Sequence, residues 1–269
     1  MEEKENWIKF LGTAGARIVV ARQLRASGGT WLHLSGANLL LDPGPGALVR
    51  AISSRPPLDP LRLDAVILSH KHLDHSADVN TIIEAMTEGG FKKRGALFAP
   101  SDAINEDPVV LKYLRGFLDR VEVLHEGGRY QVGGCSFSTP IRHHHPVETY
   151  GLTFQLPQGR LSFVTDTAFF PSLASAYLSD LLIINVVLHH PHPNPHVQHL
   201  NLADAATLIT QIRPRAVVIT HFGVGMLRSK PWQLASALCR QTGVKVIAAR
   251  DGMTLDLADL LPSASPPQP

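Results

Sequence analysis

Short apolar runs that stop at glycine, proline or a charged residue recur along the chain and predict a fold rich in β-strands. They predict strands over residues 7–12, 30–35, 38–42, 65–68, 95–100, 120–124, 130–132, 136–141, 149–154, 161–166, 181–188, 216–220, 244–248 and 254–257. Apolar residues at helical spacing predict helices over residues 47–53, 77–86, 108–117, 200–212 and 232–240. Strands interleaved with helices in this way indicate an α/β protein.

The composition is ordinary for a soluble globular protein, with 44% hydrophobic and 18% charged residues among 269. A formal net charge of +2 gives no strong attraction to nucleic acid or to a membrane. The most apolar run, residues 181–188, is interrupted by Asn185 and is far shorter than the roughly 20 residues of a membrane-spanning helix. The N-terminus is acidic and lacks the apolar stretch of a signal peptide, so we expect a cytoplasmic protein without a membrane partner.

Neither a repeat nor an internal linker divides the chain, and we expect a single domain over residues 1–261. The proline- and serine-rich residues 262–269 predict a disordered tail. Cys135 and Cys239 have no neighbouring cysteine, which argues against a disulfide framework or a zinc knuckle. Each cysteine is therefore predicted to be a small buried apolar residue.

A Ser-His-Lys-His-Leu-Asp-His loop directly follows the predicted strand over residues 65–68. Side chains alternate along an extended segment, so His70 and His72 point the same way and can share one metal ion. Asp74 and His75 follow where the chain must turn, and we expect them to face a second ion beside the first. Imidazole and carboxylate ligands together suit zinc, manganese or iron better than calcium or magnesium.

Further potential ligands lie just after other apolar strands, at positions far apart in the sequence. Asp166 and His221 each follow a buried strand, and a run of histidines that includes His144 and His145 follows another. Since a carboxylate can offer one oxygen to each of two ions, Asp166 is the candidate bridge. His144 and His145 would point in different directions, and either could be the ligand. The common placement at strand ends predicts a two-metal site.

The His-x-His-x-Asp-His motif resembles the signature of the metallo-beta-lactamase superfamily, in its ribonuclease Z-like and phosphodiesterase branch. A Leu-Gly-Thr turn at residues 11–13 and an Asp-Gly-Met turn at residues 251–253 are also similar to members of that family. The resemblance favours His145 over His144, because the family's third motif has a ligand histidine six residues ahead of a glycine, here Gly151. It implies a four-layer αββα sandwich of two mixed β-sheets flanked by helices, with the site at one edge of the sheets.

The resemblance and the placement at strand ends together predict seven ligands for two divalent ions, with zinc as the first choice and manganese or iron as alternatives. The predicted set is His70, His72 and His145 on one ion, Asp74, His75 and His221 on the other, and Asp166 between them. In the family, a carboxylate at the position of Asp42 supports the metal loop from behind the ligands.

His199 precedes the predicted helix over residues 200–212. In the phosphodiesterase branch, a histidine at this place contacts the scissile phosphate and assists the leaving group, and His199 and Asp74 are our candidate catalytic residues. The loop over residues 189–196 holds four more histidines between prolines. These could form a second metal cluster, a rim around the substrate or simply a polar loop.

The implied activity is that of a dinuclear metal-dependent hydrolase acting through a metal-bridging hydroxide. The Leu-Gly-Thr turn, His199 and the short spacing of 21 residues between His145 and Asp166 favour a small or cyclic phosphodiester as substrate. The chain is similar to the cyclic phosphodiesterase that accompanies the carbon-phosphorus lyase pathway. It lacks the additional cysteine-containing zinc site of that group.

Two other activities of the same fold are alternatives to the phosphodiesterase. The first is hydrolysis of a thioester or lactone, and the second is a ribonuclease Z-like RNA-processing nuclease. The short spacing after His145 leaves no room for the long basic arm of transfer-RNA processing enzymes, so nucleic acid is not the favoured partner. Homodimers are common among the relatives, which makes a homodimer an expectation here.

Overall fold

The predicted strands form two β-sheets in the computed structural model, which describes residues 6–105 and 107–261. The predicted tail over residues 262–269 lies outside this described part. The first sheet has the order β14-β1-β2-β3-β4-β5-β6. Its strands are Trp7–Phe10 (β1), Thr30–Leu34 (β2), Ala37–Leu41 (β3), Ala65–Ile67 (β4), Ala96–Pro100 (β5), Arg120–Leu124 (β6) and Thr254–Asp256 (β14).

The second sheet has the order β13-β12-β11-β10-β9-β8-β7. Its strands are Gly128–Val132 (β7), Cys135–Thr139 (β8), Leu152–Leu156 (β9), Gly159–Val164 (β10), Leu181–Asn185 (β11), Ala216–Thr220 (β12) and Lys245–Ala248 (β13). Both sheets are mixed. In the first, β3, β4, β5 and β6 run parallel, and in the second, β10, β11, β12 and β13 do so.

Helices connect the strands and cover the outer faces of both sheets. The α-helices among the described residues are Ala16–Ala21 (α1), Ala47–Ile52 (α2), Leu73–Ser76 (α3), Val79–Met86 (α4), Ser101–Ile104 (α5), Lys112–Arg115 (α6), Leu173–Ala176 (α7), Leu202–Ile212 (α8), Val224–Arg228 (α9) and Pro231–Thr242 (α10). Short 3₁₀ helices span Pro60–Arg62 and Leu257–Asp259. None of the helices in residues 6–105 and 107–261 combines the length and apolar character needed to cross a membrane.

Alternation of side chains along the strands produces the layers. On β4, Ala65 and Ile67 pack into a core that also contains residues of the second sheet, whereas Val66 packs against helices on the opposite face. On β11, Ile183 points into the same central core and Leu182 into the outer one. One core between the sheets and one beneath each set of helices give the predicted four-layer αββα arrangement. The predicted fold class is therefore confirmed.

Two predicted elements are shorter in the structure. The helix predicted over residues 108–117 is reduced to Lys112–Arg115, because the amides of Val109 and Val110 both donate to the carbonyl of Ala103 instead of forming a helical turn. The strand predicted over residues 181–188 ends at Asn185. The short helices α1 and α9 were not predicted, and each follows a loop that carries a predicted motif.

Candidate metal centre

Asp42 stabilises the histidine-rich loop through hydrogen bonds, without being one of the predicted ligands. It follows β3, and its carboxylate accepts hydrogen bonds from the Ser69 backbone N–H and the Ser69 hydroxyl, both at 2.7 Å. It also lies 3.0 Å from Nδ1 of His75, which orients that ring. Gly44 lets the two loops approach, since a Cβ there would lie 2.0 Å from the carbonyl oxygen of Asp74. The family-based expectation for Asp42 agrees with these contacts.

The seven predicted ligands lie together and form three overlapping groups of donor atoms. In each group, one atom from every member lies within 4.8 Å of the others. The groups are His70, His72 and His145; His70, His75 and Asp166; and Asp74, His75 and His221. Because the groups share His70 and His75, they describe one continuous cluster with positions for more than one ion.

The chemistry of the donor set fits bound metal. Nε2 of His70, Nε2 of His75 and both ring nitrogens of His221 are buried and have no hydrogen-bond partner among the described residues. Buried polar atoms are normally hydrogen-bonded, because an unsatisfied one costs about 1–3 kcal/mol. Imidazole nitrogens and carboxylate oxygens of this kind are common ligands of divalent ions such as zinc. The residues present therefore fit the metal ions that the donor pattern predicts.

Burial keeps two of the ring systems neutral, which is the form that binds metal. It lowers the pKa of His145 to about 4 and holds the pKa of His70 well below its usual range. The Nδ1 atom of His145 lies 3.1 Å from the carbonyl oxygen of Gln198, and this contact fixes the ring with Nε2 facing the cluster. A backbone carbonyl behind a ligand histidine is a usual way to set its tautomer.

His75 is surrounded by carboxylates and behaves differently. Burial alone would lower its pKa, but Asp74, Asp42 and Asp166 outweigh that effect and raise the pKa well above its usual value. Burial of Asp166 would raise the pKa of its carboxyl group, but His221 and His75 outweigh burial and lower it well below the usual range. The site thus holds ionised carboxylates around a proton on His75, and metal binding would displace that proton.

The second sheet contributes a carboxylate and its support. Asp166 follows β10, with Oδ1 at 3.4 Å from Nδ1 of His221 and Oδ2 at 3.6 Å from Nε2 of His75. Asn185, the last residue of β11, donates its side-chain amide to Oδ1 of Asp166 at 2.8 Å. The sequence analysis did not identify Asn185 as a functional residue. The available signal was a polar residue inside an otherwise apolar, buried run.

His221 follows β12 in a left-handed backbone conformation with φ of 60°. Its loop packs tightly against the turn after β1, where a Cβ on Gly15 would lie 2.1 Å from the carbonyl oxygen of His221. The turn after β1 is also hydrogen-bonded to the turn at residues 251–253, because Asp251 accepts hydrogen bonds from the backbone N–H and the hydroxyl of Thr13. The two turns that resemble family motifs therefore meet beside the last predicted ligand.

The three consecutive histidines after β8 have different surroundings. His143 is buried, lies 2.8 Å from the hydroxyl of Tyr177 and has its pKa lowered by burial to about 3. His144 is exposed and stacks on Phe170 at a centroid distance of 4.1 Å. His145 alone of the three belongs to a donor group. Of the two alternatives that the residues left open, the structure brings His145 to the cluster and turns His144 away.

His199 lies at the edge of the cluster. Its Nδ1 is 3.5 Å from Oδ2 of Asp166 and has no hydrogen-bond partner among the described residues. Together with Asp74, it lines an open cavity of about 830 Å³ beside the donor groups. His189, His190, His192 and His196 line the same cavity, and none of them belongs to a donor group. The loop histidines therefore form a rim, and the donor groups found among the described residues give no support to a second metal cluster there.

Comparisons with known proteins agree with this architecture. A family model described as a beta-lactamase superfamily domain matches residues 37–222. The uncharacterized protein MJ1374 of Methanocaldococcus jannaschii is 32% identical over 261 residues, which cover 93% of this chain and 94% of the relative. The crystal structure of the metallo-beta-lactamase fold protein YhfI from Bacillus subtilis has a TM-score of 0.77 at 19% identity, covering 93% of this chain and 98% of that one.

A crystal structure of a new diphosphatase from the PhnP family has a TM-score of 0.69 at 20% identity and covers 93% of this chain and 96% of that one. At such low identity, these two structural likenesses establish the fold alone. The family match spans more than half of the chain, and the relative is similar over nearly its whole length. This chain therefore belongs to the beta-lactamase superfamily of metal-dependent hydrolases and has the metallo-beta-lactamase fold, which implies bound divalent ions.

Proposed function

We propose that this protein is a dinuclear metal-dependent phosphodiesterase that acts on a small or cyclic phosphodiester. The observation that carries the proposal is the set of three overlapping donor groups with unpartnered, buried imidazole nitrogens. In our proposal, His70, His72 and His145 hold one ion, Asp74, His75 and His221 hold the other, and Asp166 contacts both. Zinc is the first choice of metal for this mixture of imidazole and carboxylate ligands.

When bound, the divalent ions would lower the pKa of a coordinated water and would neutralise charge on phosphate oxygens. The other contributions come from the protein. Asp74 lines the cavity and lies 3.6 Å from Nε2 of His221, so its carboxylate can orient the attacking water. His199 lines the same cavity, with Nδ1 at 3.5 Å from Oδ2 of Asp166, and can donate an N–H hydrogen bond to the leaving oxygen. Such a placed group is worth about 10²- to 10⁴-fold in rate.

Several features support a phosphate ester over an acyl substrate. His199 lies 3.5 Å from a carboxylate oxygen of Asp166, and its place in the sequence resembles that of the histidine in the phosphodiesterase branch. The PhnP-family diphosphatase, whose fold this chain shares, also acts on a phosphate compound. The 21-residue spacing from His145 to Asp166 argues against a transfer-RNA processing nuclease, because only β9, β10 and their turns occupy it.

The test combines metal content with activity. Purified wild-type protein, Asp166→Ala and the control His125→Ala are compared by mass spectrometry for bound metal and by turnover of bis-p-nitrophenyl phosphate. His125 is an exposed histidine in the turn after β6 and belongs to none of the donor groups, so its variant should match wild type. We expect about two metals per wild-type chain and loss of both metal and activity in Asp166→Ala.

Other outcomes decide between the alternatives. Two metals without phosphodiester turnover, combined with hydrolysis of an acyl thioester or a lactone, would move the substrate to that class while keeping the site. Turnover confined to RNA would favour the nuclease. A wild-type protein that binds no metal would refute the mechanism.

A further inference from the structure

A second cavity lies on the outer side of the first sheet and is separate from the candidate metal centre. It measures about 260 Å³ and lies between β1, the C-terminal end of α2 and the turn at residues 251–253. Three of its lining side chains are cationic, namely Lys9, Arg50 and Arg55, and one is acidic, Asp251. None of its lining residues belongs to a donor group or lines the cavity beside the donor groups. This cavity is therefore distinct from the proposed substrate space.

Lys9 places a buried positive charge in this cavity. Its neighbours Ile8 and Phe10 pack into the central core, so the Lys9 side chain points to the opposite face of the sheet. Only 5% of Lys9 is exposed, and burial lowers the pKa of its ammonium group. The ammonium donates to the carbonyl oxygen of Arg55 at 3.3 Å and to the hydroxyl of Thr254 at 3.2 Å. Because an ammonium has three N–H donors, one donor remains for a ligand.

Neither acceptor of Lys9 compensates its charge. A carbonyl oxygen and a hydroxyl are both neutral, and Lys9 forms no ion pair within residues 6–105 and 107–261. Buried charges in proteins are normally paired, because removing an unpaired charge from water is costly in free energy. An anion in the cavity would supply the missing counter-charge.

Two arginines of the lining add to this positive charge. Arg50 lies in the last turn of α2 and Arg55 in the loop that follows, and both residues are exposed. In the described part of the chain, neither guanidinium group makes a hydrogen bond or an ion pair. Both side chains can therefore direct their donors toward a ligand in the cavity.

The carboxylate in the lining is engaged with other residues. Oδ1 of Asp251 accepts hydrogen bonds from the backbone N–H and the hydroxyl of Thr13, and Oδ2 accepts one from the backbone N–H of Ala26. The guanidinium of Arg25 lies 4.0 Å from Oδ1. Three positive charges and one negative charge leave the lining with a formal net charge of +2. The cavity is therefore complementary to an anion with about two negative charges.

We propose that this cavity binds a small phosphate-bearing anion through Lys9, Arg50 and Arg55. A phosphate monoester carries about −1.5 to −2 charges at pH 7 and matches the lining better than a single carboxylate does. Arginine also forms paired hydrogen bonds to phosphate oxygens. The volume is below the roughly 300–1,000 Å³ of pockets for drug-sized ligands, so the ligand is inorganic phosphate or a small phosphate monoester. The inference does not depend on the proposed function, since the two sites share no residue.

Isothermal titration calorimetry with inorganic phosphate, glycerol 3-phosphate and acetate tests the proposal. Because phosphate can also bind to metal ions, each titration is made on wild-type protein and on Asp166→Ala dialysed against a chelator. We expect a phosphate ligand to bind both proteins with a Kd below about 1 mM, and acetate to bind at least about tenfold more weakly. The tighter of the two phosphate ligands identifies whether the natural ligand is the free ion or a monoester.

Variants of the lining locate the binding site. Arg50→Gln and Arg55→Gln should each weaken phosphate binding by about tenfold or more, because each removes a charge-assisted hydrogen bond. Arg62→Gln removes an equal charge at an exposed residue outside the lining and should bind phosphate as wild type does. Lys9→Met should abolish binding. Circular dichroism checks the folding of every variant, and the two exposed arginines keep the test decisive if Lys9→Met does not fold.

Several results would overturn the proposal. These are a wild-type protein that binds neither phosphate ligand, binding that survives both arginine substitutions, and acetate binding as tight as that of phosphate. Binding that is present in wild type and absent from folded, metal-free Asp166→Ala would assign the phosphate to the metal ions and would also overturn it. Phosphate binding that persists in Asp166→Ala and is lost in the arginine variants supports the site, whichever substrate the metal centre hydrolyses.

Discussion

The two halves of the molecule have matching strand pairings but supply their donor residues in different ways. Each described sheet has one antiparallel part and one parallel part, and the candidate site lies where the parallel strands end. In the first half, one short loop after β4 carries His70, His72, Asp74 and His75. In the second half, the corresponding residues are spread over separate strand ends, with Asp166 after β10 and Asn185 at the end of β11.

This difference has a physical consequence. The donors of the first half keep their spacing whenever β4 and its loop are folded, because the chain itself joins them. The donors of the second half come together only when three strands, the turn at Gly15 and the loop before His199 are all folded. We therefore expect the first half to tolerate loss of a distant contact and the second half to be sensitive to it.

The largest expected effect comes from removing one histidine in each half. His70 belongs to two donor groups, so His70→Ala should lose the ion held with His72 and His145 and should also weaken binding of the other ion. His221 belongs to one group, and His221→Ala should keep the ion held by His70, His72 and His145. Both variants should lose turnover of bis-p-nitrophenyl phosphate by at least about 100-fold. Replacing a residue that only hydrogen-bonds to a metal ligand already lowers metal affinity or activity by about 10- to 100-fold. Metal content by mass spectrometry measures the difference, with His125→Ala as control. Equal metal loss in the two variants would contradict the expectation that His70 contributes to both donor positions and His221 to only one.

A smaller effect is expected at Asn185, which supports Asp166 without being a predicted ligand. Removing its amide in Asn185→Ala leaves Oδ1 of Asp166 without this 2.8 Å hydrogen bond. Zinc affinity, measured by competition with a chromophoric chelator, should fall by about 10- to 100-fold while the metal stoichiometry at saturation stays unchanged. Asn105→Ala, at an exposed asparagine after α5, is the matched control. An affinity equal to that of the control would mean that Asp166 is held by its histidine neighbours alone.

The smallest effect concerns the core between the halves. Cys135 is fully buried there, and burial raises the pKa of its thiol to about 12, against 9.0 for the ordinary group. Since the folded state holds this proton more tightly, its contribution to stability is complete below pH 9 and is lost as the pH rises from about 9 to about 12. The maximal slope for one proton is about 1.4 kcal/mol per pH unit.

Thiol labelling tests the burial of Cys135, on which this prediction depends, and the free energy of unfolding measured between pH 8 and pH 11 tests the pH dependence itself. Iodoacetamide at pH 8.5, followed by mass spectrometry, should modify half-buried Cys239 in the folded protein and Cys135 only after denaturation. Equal labelling of both cysteines without denaturant would show that the sheets separate readily, contrary to a tightly packed central core.

Local patterns in the sequence were sufficient for the strands and the first-half donors, whereas the four-layer fold class followed from the resemblance to the metallo-beta-lactamase superfamily. Strand alternation needs only the order of apolar residues, and the ligands in the loop after β4 lie within six residues of one another. The placement of Asp166 and His221 after buried strands was also visible, because parallel strands bring their C-terminal ends to one edge of a sheet. The bounds of the helix over residues 108–117 were wrong, since a loop contact with Ala103 outweighed helical spacing there.

Tertiary structure decided what depends on contacts between distant segments. It brought His145 to the donor cluster through the carbonyl of Gln198, whereas His144 stacks on Phe170. It turned the histidines of residues 189–196 into a rim and brought Arg17 and Arg228, more than two hundred residues apart in sequence, to one cavity. Residue spacing along the chain cannot give such placements, because they follow from how two sheets and their loops pack in three dimensions.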